Sequence, residues 1–337
     1  MQELAIQLKS ELNKSRKVVI TTHRGPDGDA LGSSLCLYHL LTSLEHSVHI
    51  ITPNDYPEFL HWMPGNDNVI EYTKSPEKAK KITEEAELIV MLDFNNTSRL
   101  DKYESCVVES SAKKILIDHH QNPDHNCADI VISNSKASST CELLYELLEE
   151  MQYVKNIDKD MADCLYVGIM TDTGSFKYSS TSYRTHEIIS ELIKKGAENS
   201  KIHDRVYDSI TADRMKLLGY CLNEKLQLYT DNNSAIISLN KKELEQFNFK
   251  KGDTEGIVNY ALAINNIIFA AFIVEREEAV KLSLRSKGNF RVDKIANEYF
   301  NGGGHMNAAG GVSNLPLDKT IKLVEGIIEI KSKELKQ

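Results

Sequence analysis

The stretch Lys114-Ile115-Leu116-Ile117-Asp118-His119-His120 sets a carboxylate and two imidazoles directly behind an apolar, strand-like run. Upstream, His23-Arg24-Gly25-Pro26-Asp27-Gly28-Asp29 follows a similar run, Lys17 to Thr22, with the spacing H-x3-D-x-D. Imidazole and carboxylate together suit Mn, Fe, Zn or a mixed-metal centre, and carboxylates shared between two cations are how two-metal hydrolases are built. Gly25, Pro26 and Gly28 make a tight turn that exposes the side chains around it. The plainer alternative for this segment is an Asp-rich loop capping a helix that begins at Ala30.

Working outward, Ser47 to Thr52, Glu87 to Asp93 and Asp129 to Ser133 join the first two runs as Val- and Ile-rich strands. Between them, Ala30 to Ser43 and Cys141 to Met151 place apolar residues at i, i+3, i+4 and i+7, the latter behind the capping segment Ser138-Ser139-Thr140. The alternation predicts an α/β fold with a doubly wound, mainly parallel sheet. In such sheets ligands collect beyond the carboxyl ends of the strands. Asp93 closes the run Leu88 to Leu92, and burying a lone carboxylate there is costly unless a cation or several donors meet it. Adjacent His119 and His120 let one ring ligate metal while the other faces substrate or a carboxylate. A further acid, Asp172, stands where an apolar helix through Gly168 and Met170 gives way to the turn Thr173-Gly174-Ser175-Phe176.

The 337 residues suffice for two domains of ordinary size. We assign residues 1–197 to the metal-binding domain and 198–228 to a charged helical connection with no strand signal. Residues 229–337 form a smaller α+β domain. There Ser234 to Leu239, Ile267 to Glu275 and Ala279 to Leu284 read as strands, Val292 to Tyr299 as a helix, Asn301-Gly302-Gly303-Gly304-His305 as a loop, and a last helix starts at Lys319.

Apolar residues at 41% and charged residues at 26% describe a soluble globular chain. The net charge of -9 opposes tracking along long nucleic acid, because that affinity comes from many lysine and arginine contacts releasing counterions. A short anionic substrate held by a few arginines is compatible with it. Cys36, Cys106, Cys127, Cys141, Cys164 and Cys221 show no C-x-x-C spacing, so they read as reduced thiols rather than a zinc ribbon or disulfide framework. No stretch reaches the roughly 20 apolar residues of a spanning helix, and the N-terminus lacks an apolar signal core. The expectation is a cytoplasmic protein with no membrane partner. The helical pattern of the first domain leaves a homodimer open.

Taken in order, the H-x3-D-x-D loop, Asp93 behind its strand, Asp118-His119-His120 and the T-D-T-G-x-F segment resemble the DHH phosphoesterase superfamily. In the second half, Ser283-Leu284-Arg285-Ser286-Lys287 and the G-G-G-H-x-x-A-A-G run from Gly302 to Gly310 look like its DHH-associated substrate domain. The resemblance covers nearly the whole chain. Its nearest form is the stand-alone group that acts on very short RNA (nanoRNA) and 3′-phosphoadenosine 5′-phosphate (pAp). It implies one metal on His23, Asp27 and Asp93, and a second on Asp29, Asp93, His119 and Asp172, with Asp93 bridging and manganese the usual ion. It also makes Asp118 the group that orients His119 by a hydrogen bond. His120 becomes the candidate to contact the phosphate or protonate the leaving oxygen. Many relatives carry proline or another residue where Gly28 stands between the two aspartates.

Two cations about 3.5–4 Å apart acidify a water and neutralise charge on a phosphoryl group. For substrate capture the resemblance points to Arg285 and Ser286, to a close backbone approach at Gly303 and Gly304, and to His305 as a further donor; Arg99, shortly after Asp93, is a candidate for the same role from the first domain, with a surface ion pair as its alternative. Phosphate grips on one domain and metals on the other imply a cleft that closes on a short ligand, either short RNA or a nucleoside bisphosphate. The expected reaction is hydrolysis of nanoRNA to 5′-mononucleotides and of pAp to AMP and phosphate. Hydrolysis of linear or cyclic dinucleotides (pApA, pGpG, c-di-AMP) is the alternative. A manganese inorganic pyrophosphatase would share the metal half but not the G-G-G-H stretch. A non-catalytic nucleotide-binding module should have lost ligands, yet every candidate ligand is present.

Overall fold

Val, Ile and Leu fill the strands of the first half because both faces of its sheet are covered. A computed structural model describes residues 2–14, 16–277 and 279–336. It divides into two compact units, Met1–Ser209 and Ile210–Gln337. In the first, the strands are β1 (Lys17–Thr22), β2 (Ser47–Thr52), β3 (Val69–Glu71), β4 (Leu88–Leu92), β5 (Lys113–Asp118) and β6 (Ile130–Ser133). The helices are α1 (Gln2–Glu11), α2 (Gly28–Ser43), α3 (Pro76–Glu84), α4 (Glu104–Glu109), α5 (Thr140–Glu150), α6 (Lys159–Asp172), α7 (Tyr183–Lys194) and α8 (Asn199–Tyr207).

All strand pairs in this unit are parallel and run in the order β3-β2-β1-β4-β5-β6. Side chains alternate across a strand. Leu88, Val90 and Leu92 of β4 accordingly join Val18 and Ile20 in a core with Leu31 and Leu35 of α2 and Leu144 of α5. Ile89 and Met91 face the other way, with Val19, Leu116, Ala79 of α3 and Val107 of α4. This is the doubly wound sheet the alternating pattern predicts. Its strand order reverses between β1 and β4, and the crevice outside the carboxyl ends of such a pair is where ligands bind in this architecture.

The second unit holds a mixed sheet of β7 (Leu226–Tyr229), β8 (Ser234–Leu239), β9 (Phe269–Glu275), β10 (Val280–Ser286), β11 (Gly303–His305) and β12 (Ala308–Ser313), ordered β11-β12-β10-β9-β8-β7. Among the described residues of this sheet, only β8 and β9 pair in parallel. Helices α9 (Ala212–Tyr220), α10 (Lys241–Gln246), α11 (Ile257–Ala263), α12 (Val292–Tyr299), α13 (Leu317–Ile330) and α14 (Ser332–Leu335) complete it. Phe269, Ala271 and Ile273 of β9 pack on one side with Val292, Val324 and Ile328, and Ala270, Phe272 and Val274 on the other with Ile257 and Ala261.

Two expectations need correcting. The stretch 198–228 is not one helical connection. Helix α8 belongs to the first unit, α9 to the second, and Leu226–Tyr229 is an edge strand paired antiparallel to β8. The glycine run is not wholly a loop, since Gly303–His305 pairs with Ala308–Gly310. Strand β12 carries the small residues Ala308 to Gly311, and a Cβ on Gly311 would meet Phe300 Cβ at 2.5 Å. Among the described residues, no helix is long and apolar enough to cross a membrane.

Candidate metal centre

The carboxyl ends of β1, β4 and β5 deliver His23, Asp93 and the pair His119 and His120, and the first turn of α2 adds Asp29. His23 Nε2 lies 3.9 Å from Asp27 Oδ2 and 3.5 Å from Asp93 Oδ2. His119 Nε2 lies 3.8 Å from Asp29 Oδ2, 3.6 Å from Asp93 Oδ1 and 3.3 Å from Asp172 Oδ2. Within the first unit, His23–Asp27–Asp93 and Asp29–Asp93–His119 each have ligand atoms within 4.8 Å of one another. Asp93 belongs to both groups, with Oδ2 turned to one and Oδ1 to the other. A carboxylate that bridges two ions needs this disposition.

The protonation of the two histidines bears on what fills these gaps. His23 Nδ1 donates to the Arg24 carbonyl (3.0 Å) and His119 Nδ1 donates to the Ala137 carbonyl (3.3 Å). Each ring is thereby turned so that Nε2 meets carboxylates. Burial, helped by the nearby charge of Arg99, holds His23 below the ordinary histidine range against the opposing pull of Asp27. A neutral Nε2 presents a lone pair, and a lone pair facing carboxylate oxygens is repelled unless a cation lies between. The donor set of imidazole nitrogen and carboxylate oxygen therefore fits divalent metal.

Asp93 carries the same message. Its N–H donates to the Ile117 carbonyl (3.1 Å), and its φ of 67° turns the chain out of β4 through the left-handed region, which aspartate tolerates better than most residues. Burial first, then the charges of Asp29, Asp27, Asp172 and Asp118, push its pKa well above the ordinary carboxylate range. Asp172 closes α6, where a carboxylate opposes the negative end of the helix dipole. A cation relieves both penalties. Asp27 combines two readings of its segment: Oδ1 caps α2 by accepting from Asp29 N and Ala30 N (3.1 Å each), and Oδ2 faces His23.

Close packing of α2 on α6 sets Gly28 against Thr171, and the residues that follow them, Asp29 and Asp172, both face His119 Nε2. A Cβ built on Gly28 would stand 2.4 Å from Thr171 Oγ1, which is why glycine occupies that position in this chain. One orientation differs from expectation. Asp118 Oδ1 accepts from His120 Nδ1 (2.7 Å), not from His119, because residues two apart at the end of an extended strand share a side. Arg99, half-buried, has its carbonyl bonded to Arg24 N (2.7 Å).

In the second unit, Arg285 is half-buried on β10, and its Nη1 donates to the Leu284 carbonyl (3.0 Å). Ser286 does not offer its hydroxyl as expected of a substrate contact. It donates to the Phe290 carbonyl (2.5 Å) and accepts from Asn307 Nδ2 (2.9 Å), which braces the turn after β10. Gly303 pairs with Gly310 and has open space where a Cβ would stand. Gly304, at a φ of 143°, lies so near Ala308 O that a Cβ would meet it at 2.5 Å. His305 closes β11 opposite Ala308.

Thr140 escaped the sequence reading, which saw the segment before α5 only as a cap. Its hydroxyl donates to Asp93 Oδ1 (2.9 Å) and its amide to Asp29 Oδ2 (2.6 Å). A threonine just inside a Ser-capped helix was the available signal.

Comparison with known proteins yields the DHH family, N-terminal domain, over residues 17–169 and the DHHA1 domain over residues 232–331. The bifunctional oligoribonuclease and PAP phosphatase NrnA of Bacillus subtilis is 29% identical, over 87% of this chain and 88% of its own length. A probable counterpart from Streptococcus mutans is 30% identical, over 88% of this chain and 89% of its own. An exopolyphosphatase-related protein from Bacteroides fragilis has a crystal structure that superposes with a TM-score of 0.95 at 42% identity, covering 100% of this chain and 98% of that one.

Proposed function

This chain belongs to the DHH phosphoesterase family, and on that premise we propose that it hydrolyses short oligoribonucleotides to 5′-mononucleotides and pAp to AMP and phosphate. Two divalent cations, manganese in our reading, are assigned to His23, Asp27 and Asp93 and to Asp29, Asp93, His119 and Asp172. The observation that carries this is the pair of imidazole Nε2 atoms facing carboxylates on either side of one shared Asp93. Bound cations would supply an acidified water and neutralise phosphoryl charge.

The chain's own residues do the rest. Asp93 and Asp29 hold the cation positions in register, and Asp118, accepting from His120 Nδ1, supports the imidazolium formed when Nε2 takes up a proton, which that ring can then pass to the leaving oxygen. Phosphate recognition is assigned to Arg99 in the first unit and to Arg285, Gly303, Gly304 and His305 in the second. The cytoplasm, where short RNA and nucleoside bisphosphates arise, is the compartment this reading implies. The relatives named as oligoribonuclease and PAP phosphatase support the substrate class.

The test is a kinetic panel with purified protein and Mn²⁺ across a linear dinucleotide, pAp, a cyclic dinucleotide and pyrophosphate. Turnover of the first two is expected to exceed the others. Inactivity on both, with turnover of the cyclic dinucleotide or pyrophosphate, would reject the assignment.

A further inference from the structure

Thr140, the first residue of α5, reaches two of the proposed ligands at once. Its hydroxyl donates to Asp93 Oδ1 (2.9 Å), its amide to Asp29 Oδ2 (2.6 Å), and the following amide, of Cys141, to Asp29 Oδ1 (2.8 Å). Thr140 is 0% exposed, so solvent does not compete for these bonds. The cap of α5 is made by Ser139, whose hydroxyl oxygen accepts from Glu142 N (3.0 Å). The Thr140 hydroxyl is thus free of capping duty and directed at the shared carboxylate.

These contacts are lopsided. Asp29 belongs to only one of the two proposed cation positions, and Asp93 serves that same position through Oδ1, the atom Thr140 holds. Among the described residues, no hydrogen bond joins Thr140 to His23 or Asp27. A hydroxyl proton on one lone pair of Oδ1 leaves the other lone pair with a fixed direction, while Oδ2 faces His23.

Resting on the two-ion reading above, we propose that Thr140 is a positioning residue that aligns Asp93 and Asp29 and tunes one cation position, that of Asp29, Asp93, His119 and Asp172, while leaving the other nearly untouched. Groups that orient ligands in this way alter metal affinity by about 10- to 100-fold when removed.

The experiment is equilibrium titration of the whole chain with Mn²⁺, following free ion by electron paramagnetic resonance, for wild type, Thr140→Val and Thr140→Ser. Wild type should bind two ions. Thr140→Val, which keeps the amide and shape but loses the hydroxyl, should retain one step and weaken the other by about 10-fold or more. Its kcat should be low at limiting Mn²⁺ and recover at high Mn²⁺, with KM for a dinucleotide little changed. Thr140→Ser should restore the lost step. Two unchanged steps in Thr140→Val, or equal weakening of both, would overturn the inference while leaving the two-ion reading in place. Fewer than two ions on wild type would remove that reading and the inference with it. Circular dichroism checks folding, and if Thr140→Val does not fold, Thr140→Ala is compared with Thr140→Ser in the same titration.

Discussion

His120 Nδ1 and Asp118 Oδ1 stand 2.7 Å apart, with Asp118 wholly buried behind the ring. Burial alone would raise the Asp118 pKa, but the hydrogen bond and charge of His120 outweigh it and hold the carboxyl below its usual range. An ionised carboxylate on Nδ1 fixes the tautomer and supports the charge that His120 carries when Nε2 takes up a proton. Asp118→Asn should therefore lower kcat by about 100-fold, near the low end of what general acid–base catalysis contributes. Asp93, Asp118 and His120 also lie within 4.8 Å of one another, so metal content discriminates the roles. Steady-state kinetics with a parallel Mn²⁺ titration makes the check. A lost ion in Asp118→Asn would mean that Asp118 is a ligand rather than a partner of His120.

Asp93 links the site to stability. Its folded-state pKa lies well above the unfolded value, through burial and then the neighbouring acids, so between those two pKa values the folded metal-free chain keeps a proton that the unfolded chain has lost. Stability of the metal-free protein then falls as pH rises through that window, and the penalty is fully present above the folded pKa. His23, lowered by burial, acts with the opposite sign below its unfolded pKa, but it is present in wild type and variant alike. Asp93→Asn should be more stable than wild type in chelator above the window, and the difference should shrink as pH drops towards 4. With saturating Mn²⁺ the order should reverse, and turnover by Asp93→Asn should be abolished. Thermal melts across pH, with chelator and with Mn²⁺, measure all of this. A variant less stable than wild type in chelator at high pH would contradict the unrelieved charge.

The strands behind His23, Asp93 and His119 were legible because both faces of their sheet are buried and the apolar runs are unbroken. The edge strand Leu226–Tyr229 was not, since it is short and largely accessible and follows directly on a charged helical stretch. Glycine hid Gly303–His305 in the same way, by lacking the side chains that mark a strand. At the site, residue types and strand-end positions pointed to side chains that the fold brings together around Asp93, while the hydrogen-bond partners of those side chains stayed hidden. Which histidine Asp118 serves depends on side-chain direction at a strand end. The contacts of Thr140 span 47 residues to Asp93 and 111 to Asp29, distances that only the folded sheet closes.

Gly28 supplies the last prediction. Its missing Cβ makes room for Thr171, whose Oγ1 and Cγ2 would stand 2.4 Å and 2.8 Å from it, and Thr171 is fixed by donating to the Val167 carbonyl (2.9 Å). Gly28→Ala should therefore overpack the α2–α6 contact and cost about 1–3 kcal/mol of stability. Because Asp29 and Asp172 each adjoin one of the clashing residues, the variant should also bind Mn²⁺ more weakly. Thr171→Ala removes the two nearest atoms and leaves its own Cβ at 3.0 Å, so the double variant should recover part of both losses. Denaturant melts and Mn²⁺ titrations on the two single variants and the double variant form the cycle. Additive losses, with no recovery in the double variant, would show that Thr171 is not what excludes a side chain at position 28.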